Sequence, residues 1–223
     1  DRLDTPDAVT RYLSRRRQAD WQQSLTTGTQ GTLTLGLSWL SERGRQMDTA
    51  AGSDVYGQSR HTRAAFAAWQ GRIDAHAFEF SGRYDDNSVY GSESSFAGAW
   101  GWDLTGALRL SASWGQGFRA PTMNELYSPG WGGWYAGNPA LAPERSESTE
   151  LALRLTPGAA SEVSLRAFRN ALDQLIDFSG AQAQAINVAR ARTDGAELEW
   201  RWQPVGWNVE ASATWQDPQN RDT

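Results

Sequence analysis

Two histidines, His61 and His76, and no cysteine are all that the sequence offers for nucleophilic relays or soft-metal ligation. A Ser-His-Asp site would need one of these two imidazoles, and a lone histidine without a base or orienter beside it reads as structural. Glu197 and Glu199 share one face of an extended segment, with Arg201 beside them. That arrangement suits a solvated lining, not an acid/base pair. Gly115-Gln-Gly117-Phe-Arg-Ala120 loosely resembles a dinucleotide turn, but Pro121 stands where the helix should begin and no βαβ unit surrounds it. Asp48 and Asp54 fall short of the ~6–8 oxygens that calcium takes. The sequence therefore predicts no catalytic residue, no metal site and no resident cofactor. What remains is recognition. The stretch Phe118–Arg145 carries Tyr127, Trp131, Trp134 and Tyr135 among Gly130, Gly132, Gly133 and Gly137. Rings present large rigid contact area, and glycines let backbone approach a ligand. Tyr127, Trp131, Trp134, Tyr135 and Asn138 are the candidate ligand-binding residues. Asn138-Pro139 and Ala142-Pro143 also fix turns. The alternative, in which these rings pack on each other or on a neighbouring loop, stays open at this point.

The segments that must hold this loop alternate with a period of two. Leu33, Leu35, Leu37 and Trp39 share one parity, with Thr32, Thr34, Gly36 and Ser38 on the other. Leu108, Leu110, Ala112 and Trp114 repeat the pattern, as do Trp207, Val209, Ala211, Ala213 and Trp215. Such alternation means β-strand. It predicts ten strands, near 18–27, 31–42, 59–70, 72–84, 93–103, 106–117, 146–156, 161–172, 187–203 and 206–216. A bulge is expected near Phe168, where the parity shifts. Most runs match the ~9–11 tilted residues that cross a bilayer. Short links (28–30, 70–71, 103–106, 156–160, 203–206) alternate with long ones (43–58, 85–92, 118–145, 173–186). That is the layout of an outer-membrane barrel, with turns on one side and loops on the other. Links longer than ~12–15 residues are uncommon without a function, which singles out 118–145.

Composition separates this from a soluble sandwich. The 223 residues carry 12 tryptophans and 39% hydrophobic residues, yet mean hydropathy is −0.62. Strands with one oily and one wet face give that combination. Trp21, Trp69, Trp102, Trp207 and Trp215 lie close to predicted turns or loops, where an interfacial aromatic belt belongs. Asp20, Glu79, Arg83, Arg109, Glu150, Arg154, Arg166, Glu197, Glu199 and Arg201 fall on the wet parity with both signs mixed. No run reaches the ~20 apolar residues of a spanning helix. A net charge of −5 argues against a phosphate-neutralising nucleic-acid binder. The chain reads as all-β, an antiparallel up-and-down transmembrane β-barrel segment. A ten-stranded sheet has two edges, and open edges do not survive in hydrocarbon. Either the ten strands close on themselves or they are part of a larger barrel.

Trp114-Gly-Gln-Gly-Phe-Arg-Ala-Pro-Thr-Met-Asn-Glu-Leu-Tyr127, followed by Gly137-Asn-Pro-Ala-Leu-Ala-Pro-Glu144, resembles the barrel signature of TonB-dependent outer-membrane receptors. Three further segments resemble that family in order: Arg83-Tyr-Asp-Asp-Asn-Ser-Val-Tyr-Gly91, Phe168-Arg-Asn-Ala-Leu-Asp-Gln-Leu-Ile-Asp177, and Asn187 with Gly195, Glu197 and Glu199. Within the family, the Asp85-Asp86-Asn87-Ser88 exit and the compact loops resemble the cobalamin (vitamin B12) transporters most. The resemblance implies a plugged barrel of about 22 strands in the outer membrane of a Gram-negative bacterium, loaded from outside and opened by TonB. Residues 1–223 would then be a middle segment of that barrel, with the plug and the C-terminal strands absent from it. The implied partners are a small-molecule ligand (cobalamin or an iron chelate), TonB through the plug, and outer-membrane lipid and lipopolysaccharide. A ferric-siderophore or haem receptor is the alternative within the family. Outside it stand a self-closed ten-stranded barrel with omptin-like or adhesive loops and a soluble sandwich.

One N-terminal feature adds an expectation. Thr5-Pro6-Asp7 followed by Ala8–Arg17 reads as an N-capped helical turn ending in three arginines, placed to meet lipopolysaccharide phosphates or to remain solvated.

Overall fold

The period-two runs become strands, and each strand pairs with its neighbours in sequence. The computed structural model describes residues 2–5, 8–28, 31–130 and 132–221, with backbone alone for 2–5, 8, 9 and 189. Eleven strands lie in one sheet in chain order. They are β1 (Arg2–Thr5), β2 (Ala8–Thr27), β3 (Gly31–Asp48), β4 (Ser53–Ile73), β5 (His76–Asn87), β6 (Gly91–Asp103), β7 (Leu108–Arg119), β8 (Glu144–Gly158), β9 (Ser161–Asp177), β10 (Ile186–Trp202) and β11 (Val209–Asn220). One short helix, α1 (Met123–Tyr127), and a 3₁₀ turn at Ala181–Ala183 sit in the two longest links. Every pairing is antiparallel. Among the described residues none joins β1 to β11, so these strands do not close on themselves.

Register keeps the oily parity continuous. Leu33 stands opposite Leu25 and Trp69, and Trp69 opposite Phe80. Further on, Leu110 faces Trp102 and Leu153, Leu153 faces Leu165, and Leu165 faces Leu198. Two aromatic rows border this face. Near the short turns, Trp69, Phe80, Phe78, His76, Trp100 and Trp102 form a chain of rings with centroids 5.5–6.3 Å apart. Trp200 and Trp202 extend the row. Trp21, Trp39, Tyr84, Phe96, Trp114 and Trp215, all exposed, form the row toward the long links. Paired rows around an apolar band are the girdles of a membrane barrel.

The sheet is nearly all surface. A folded protein of this mass exposes about 10,000 Å², whereas this chain exposes 14,484 Å². Apart from glycines and prolines, its buried apolar residues are Ala64, Leu126, Leu141 and Ala185 alone among the described residues, and Leu35 is 37% exposed. A soluble sandwich would clasp its oily face between two sheets, so that reading fails. The wet face is tied by charge. Arg166 bridges Glu150 at 3.6 Å and Glu197 at 3.4 Å, and Arg201 lies within 4.0 Å of Glu162, Glu199 and Glu210.

Four local expectations are corrected. Ala8–Arg17 is the outer half of β2, not a helical turn, because it continues the ladder to β3 as far as Thr10 opposite Asp48. Pro6 and Asp7 lie outside the described residues. The link at 43–58 is mostly strand, with only Thr49–Gly52 turning between β3 and β4. The hairpin expected at Gln70–Gly71 comes at Asp74–Ala75, where Asp74 takes a φ of 52°. The bulge expected near Phe168 is absent: Phe168 and Arg169 pair in step with Gly195 and Asp194. The ring of Phe168 instead fills the space that the missing side chain of Gly195 leaves, and the register shift falls at Asn187–Ala191.

Candidate functional site

The long link after β7 is built from its first residues upward. Pro121 is fully buried and Thr122 caps α1: its Oγ1 accepts the Glu125 N–H at 3.1 Å while Glu125 Oε2 accepts the Thr122 N–H at 2.7 Å. This reciprocal capping box satisfies two helix-end donors and starts a helix in a five-residue segment. The helix turns Leu126 inward, where it packs with Leu141 and Ala185, flanked by Val89, Tyr127, Ile176 and Phe178. Three links thus share one small apolar core. α1 itself lies on the wet parity of β3 and β4. Gly44 is buried beneath it, since a Cβ there would stand 3.0 Å from Met123 Cγ, and Arg60 Nη1 donates to Pro121 O at 2.6 Å. A link leaving β7 reaches β3 and β4 only across the wet side, so the sheet curls with that side concave.

Ionic latches close the loop at both ends. Arg119 donates through Nε and Nη2 to Glu144 at 2.6 Å each, and through Nη1 and Nη2 to Glu125 at 3.1 Å each. Glu144 Oε1 also accepts the Ile176 N–H at 2.8 Å, which ties β8 to the far end of β9. These groups lie beyond the apolar band. Hydrogen bonding from Arg119 holds the Glu144 carboxyl below its ordinary value of 4.5, against a smaller opposing effect of burial. Burial pushes Glu125 upward, but Arg119 and the Thr122 N–H together outweigh it and the carboxyl ends low. Arg145 grips Glu93 at 2.8 and 3.1 Å, and the buried Asn87 side chain donates to Thr62 Oγ1 at 2.6 Å. Asn187 spans three strands' ends: its Nδ2 donates to Ala142 O and Gln174 O, and its Oδ1 accepts the Ala142 N–H.

The structure divides the five candidate residues. Trp134 and Tyr135 are 56% and 59% exposed at the tip of the link. They are presented by Gly130, Gly132 and Gly133, which all take positive φ values that other residues rarely adopt. Tyr135 is pinned by its N–H to Gln182 O at 3.1 Å, and its ring lies 6.2 Å from Phe178. Tyr127 faces the loop core, 6.3 Å from the Tyr56 ring. Asn138 uses its Oδ1 to accept the Ala140 N–H, and its own N–H donates to Glu125 O. Trp131 lies outside the described residues. Residue order places Arg119 near Glu125 but does not show Glu144 as their third member or Leu126 as the anchor. A single leucine four residues after a capping threonine and an arginine-glutamate pair bracketing the link were the available signals. His61 and His76 serve packing: His61 stacks on Trp39 at 6.5 Å, and His76 Nδ1 accepts from Trp100 Nε1 at 3.2 Å. Asp48 holds the Ala50 and Ala51 N–H groups and Asp54 pairs with Arg45.

An eleven-stranded sheet with girdled oily face, concave wet face and inward-folded loop matches known proteins closely. A family model described as TonB dependent receptor-like, beta-barrel, covers residues 2–223. The chain belongs to the TonB-dependent receptor family. Two curated relatives, both vitamin B12 transporters named BtuB, come from Vibrio vulnificus and Photobacterium profundum. They are 29% identical over 96% of the chain and 33% identical over 82% of it. The chain spans about a third of the length of these relatives, 34% and 30%. Among solved structures, the siderophore receptor PirA of Acinetobacter baumannii superposes with a TM-score of 0.75 at 18% identity, over 97% of this chain and 38% of that one. The ferric enterobactin receptor PfeA of Pseudomonas aeruginosa gives 0.73 at 20% identity, over 95% and 37%. At that identity these two establish the fold alone. As a segment of a TonB-dependent receptor barrel, the chain is part of a receptor and not an enzyme.

Proposed function

We propose that this receptor segment forms part of the wall and one outer ligand loop of an outer-membrane transporter that imports cobalamin, with energy delivered by TonB through a plug domain. The observation that carries the reading is the 29–33% identity to two vitamin B12 transporters along most of the chain, the long link included. The chemistry of the link agrees with it. A neutral corrin needs flat apolar contact, which the exposed rings of Trp134 and Tyr135 offer on a braced backbone. An anionic ferric siderophore needs available cations. Here Arg45, Arg60, Arg119 and Arg145 are each engaged by a carboxylate around the loop. Trp131 is included as a contact residue from its place in the sequence alone, Tyr127 belongs to the core that braces the loop, and Asn138 sets the turn that follows.

The deciding experiment is equilibrium binding of cyanocobalamin and of ferric enterobactin to the full-length protein in detergent. Saturable cobalamin binding without siderophore competition is the expected result. Saturable siderophore binding with no cobalamin binding would overturn the ligand and leave the family intact.

A further inference from the structure

A guanidinium joins the long link to the wall it leans on. Arg60 of β4 stands directly opposite Glu42 of β3 on the wet parity, and its side chain is 11% exposed. Nε donates to Glu42 Oε2 at 2.7 Å and Nη1 to Pro121 O at 2.6 Å. The carboxylate fixes the planar fork, so the bond to the link is aimed in advance. Pro121 immediately precedes the capping Thr122, and the bond therefore sets where α1 begins. Apolar contacts continue the seat. Met123 lies over Gly44: a Cβ placed at Gly44 would stand 3.1 Å from Met123 Cβ and 3.8 Å from Tyr56 Cε2. At the other end of α1, Tyr127 meets the same Tyr56 ring.

The position of α1 passes on to the tip of the link. Gly137 N–H donates to Ser128 O at 2.7 Å and Asn138 N–H to Glu125 O at 2.8 Å, so the returning chain lies against the helix. A Cβ at Gly137 would come 2.8 Å from Glu125 O, which shows how closely the two backbones approach. Trp134 and Tyr135 directly precede that contact. A shift of α1 on the wall is therefore a shift of the exposed rings.

We propose that Arg60, oriented by Glu42, is a positioning residue for ligand binding: it holds α1 on Gly44 and so presents the rings of the link in their binding geometry. Affinity then scales with the fraction of molecules whose link is seated. The proposal rests on the reading of this link as the cobalamin loop.

The test is equilibrium binding of cyanocobalamin to the full-length protein in detergent, with heat-modifiable electrophoretic mobility reporting that each variant is folded. Arg60→Ala should weaken binding roughly tenfold at unchanged mobility. Adding Glu42→Ala removes the stranded carboxylate and should not restore affinity. A covalent seat should restore it. The 223 residues hold no cysteine, and Gly44→Cys with Met123→Cys sets two Cβ atoms 3.1 Å apart, a small shift from the ~3.5–4.5 Å that a disulfide spans. Oxidised, this pair should return Arg60→Ala to wild-type affinity and leave an otherwise wild-type chain unaffected, and dithiothreitol should undo the rescue. Arg60→Ala that binds like wild type, recovery on adding Glu42→Ala, or no rescue by the oxidised pair would each overturn the proposal. Loss of binding on oxidising the pair alone would do so too, since the link would then have to leave its seat. If the unaltered protein binds no cobalamin, the ligand reading fails and the seat is judged by exchange of the Asn138 amide. That amide should exchange roughly tenfold faster in Arg60→Ala and recover on oxidation of the pair; no change there would sink the seat as well.

Discussion

Replacing Arg119 by alanine should release the long link while leaving the barrel wall in place. Among the described residues the guanidinium is the only cation paired with these two carboxylates, bonding Glu144 at 2.6 Å and Glu125 at 3.1 Å. Those side chains are 14% and 16% exposed, against 44% for Arg119. Breaking one side of a fully buried pair costs ~3–5 kcal/mol, and exposed pairs contribute ~0.2–1 kcal/mol. With well-buried acids and a half-solvated base, the loss here should be about 2 kcal/mol for the two contacts together. That corresponds to a roughly thirtyfold rise in the open population of the link. Hydrogen exchange followed by mass spectrometry on the full-length protein reads this directly. The amides of Leu126 and Asn138, bonded to Thr122 O and Glu125 O, should lose protection by that factor, while those of β8 and β9 beyond the link keep theirs. Arg119→Lys should fall between, because an ammonium does not serve both acids with paired bonds. Unchanged protection across 122–141 in Arg119→Ala would refute the latch.

The same latch should respond to acid. Glu125 and Glu144 both titrate below 4.5 in the folded protein, so their contribution is complete above that pH and disappears as pH falls through their lowered values; exchange protection of the link should show this step, and Arg119→Ala should not. Trp134→Ala should weaken cobalamin binding roughly tenfold without lowering the amount of receptor in the membrane, since the ring is mostly exposed. Gly195→Val should destabilise the barrel in heat-modifiability assays, because a side chain there collides with the Phe168 ring and comes 2.8 Å from Trp215 O. Adding Phe168→Ala should relieve part of the loss, and full additivity of the two changes would refute the packing argument. Leu198→Arg, midway between the aromatic rows, should cost ~2–4 kcal/mol in the membrane. Ser212→Arg, beside Glu199 on the wet face, should cost little, and equal losses would mean the two faces are wrongly assigned.

How much of this was legible without coordinates differs between the band and the loops. Within the apolar band, one side of each strand meets oil and the other meets water, so hydrophobicity alternates and the strand shows in the residue order. Past Trp21 and Trp39 both faces are wet and the alternation vanishes, although the backbone ladder continues to Thr10, Asp48 and Ser53. This is why 43–58 reads as a link and Ala8–Arg17 as a helical turn. At Phe168 the parity shifts because an aromatic ring occupies the wet side, and only the neighbouring strand reveals the glycine that makes room for it. The capping box of Thr122 and Glu125 was readable from its spacing, but the inward fold of α1 onto Gly44 was not, since the partners are about 80 residues apart.

Residue order by itself determined that this chain is a series of two-faced strands joined alternately by short turns and long links, because alternation and turn chemistry are local properties. It also singled out the aromatic, glycine-rich link. Tertiary structure alone decided which rings stand exposed and which arginines are held by acids. Those are matters of register and curvature, and they depend on which strand lies beside which, a relation that local spacing does not contain.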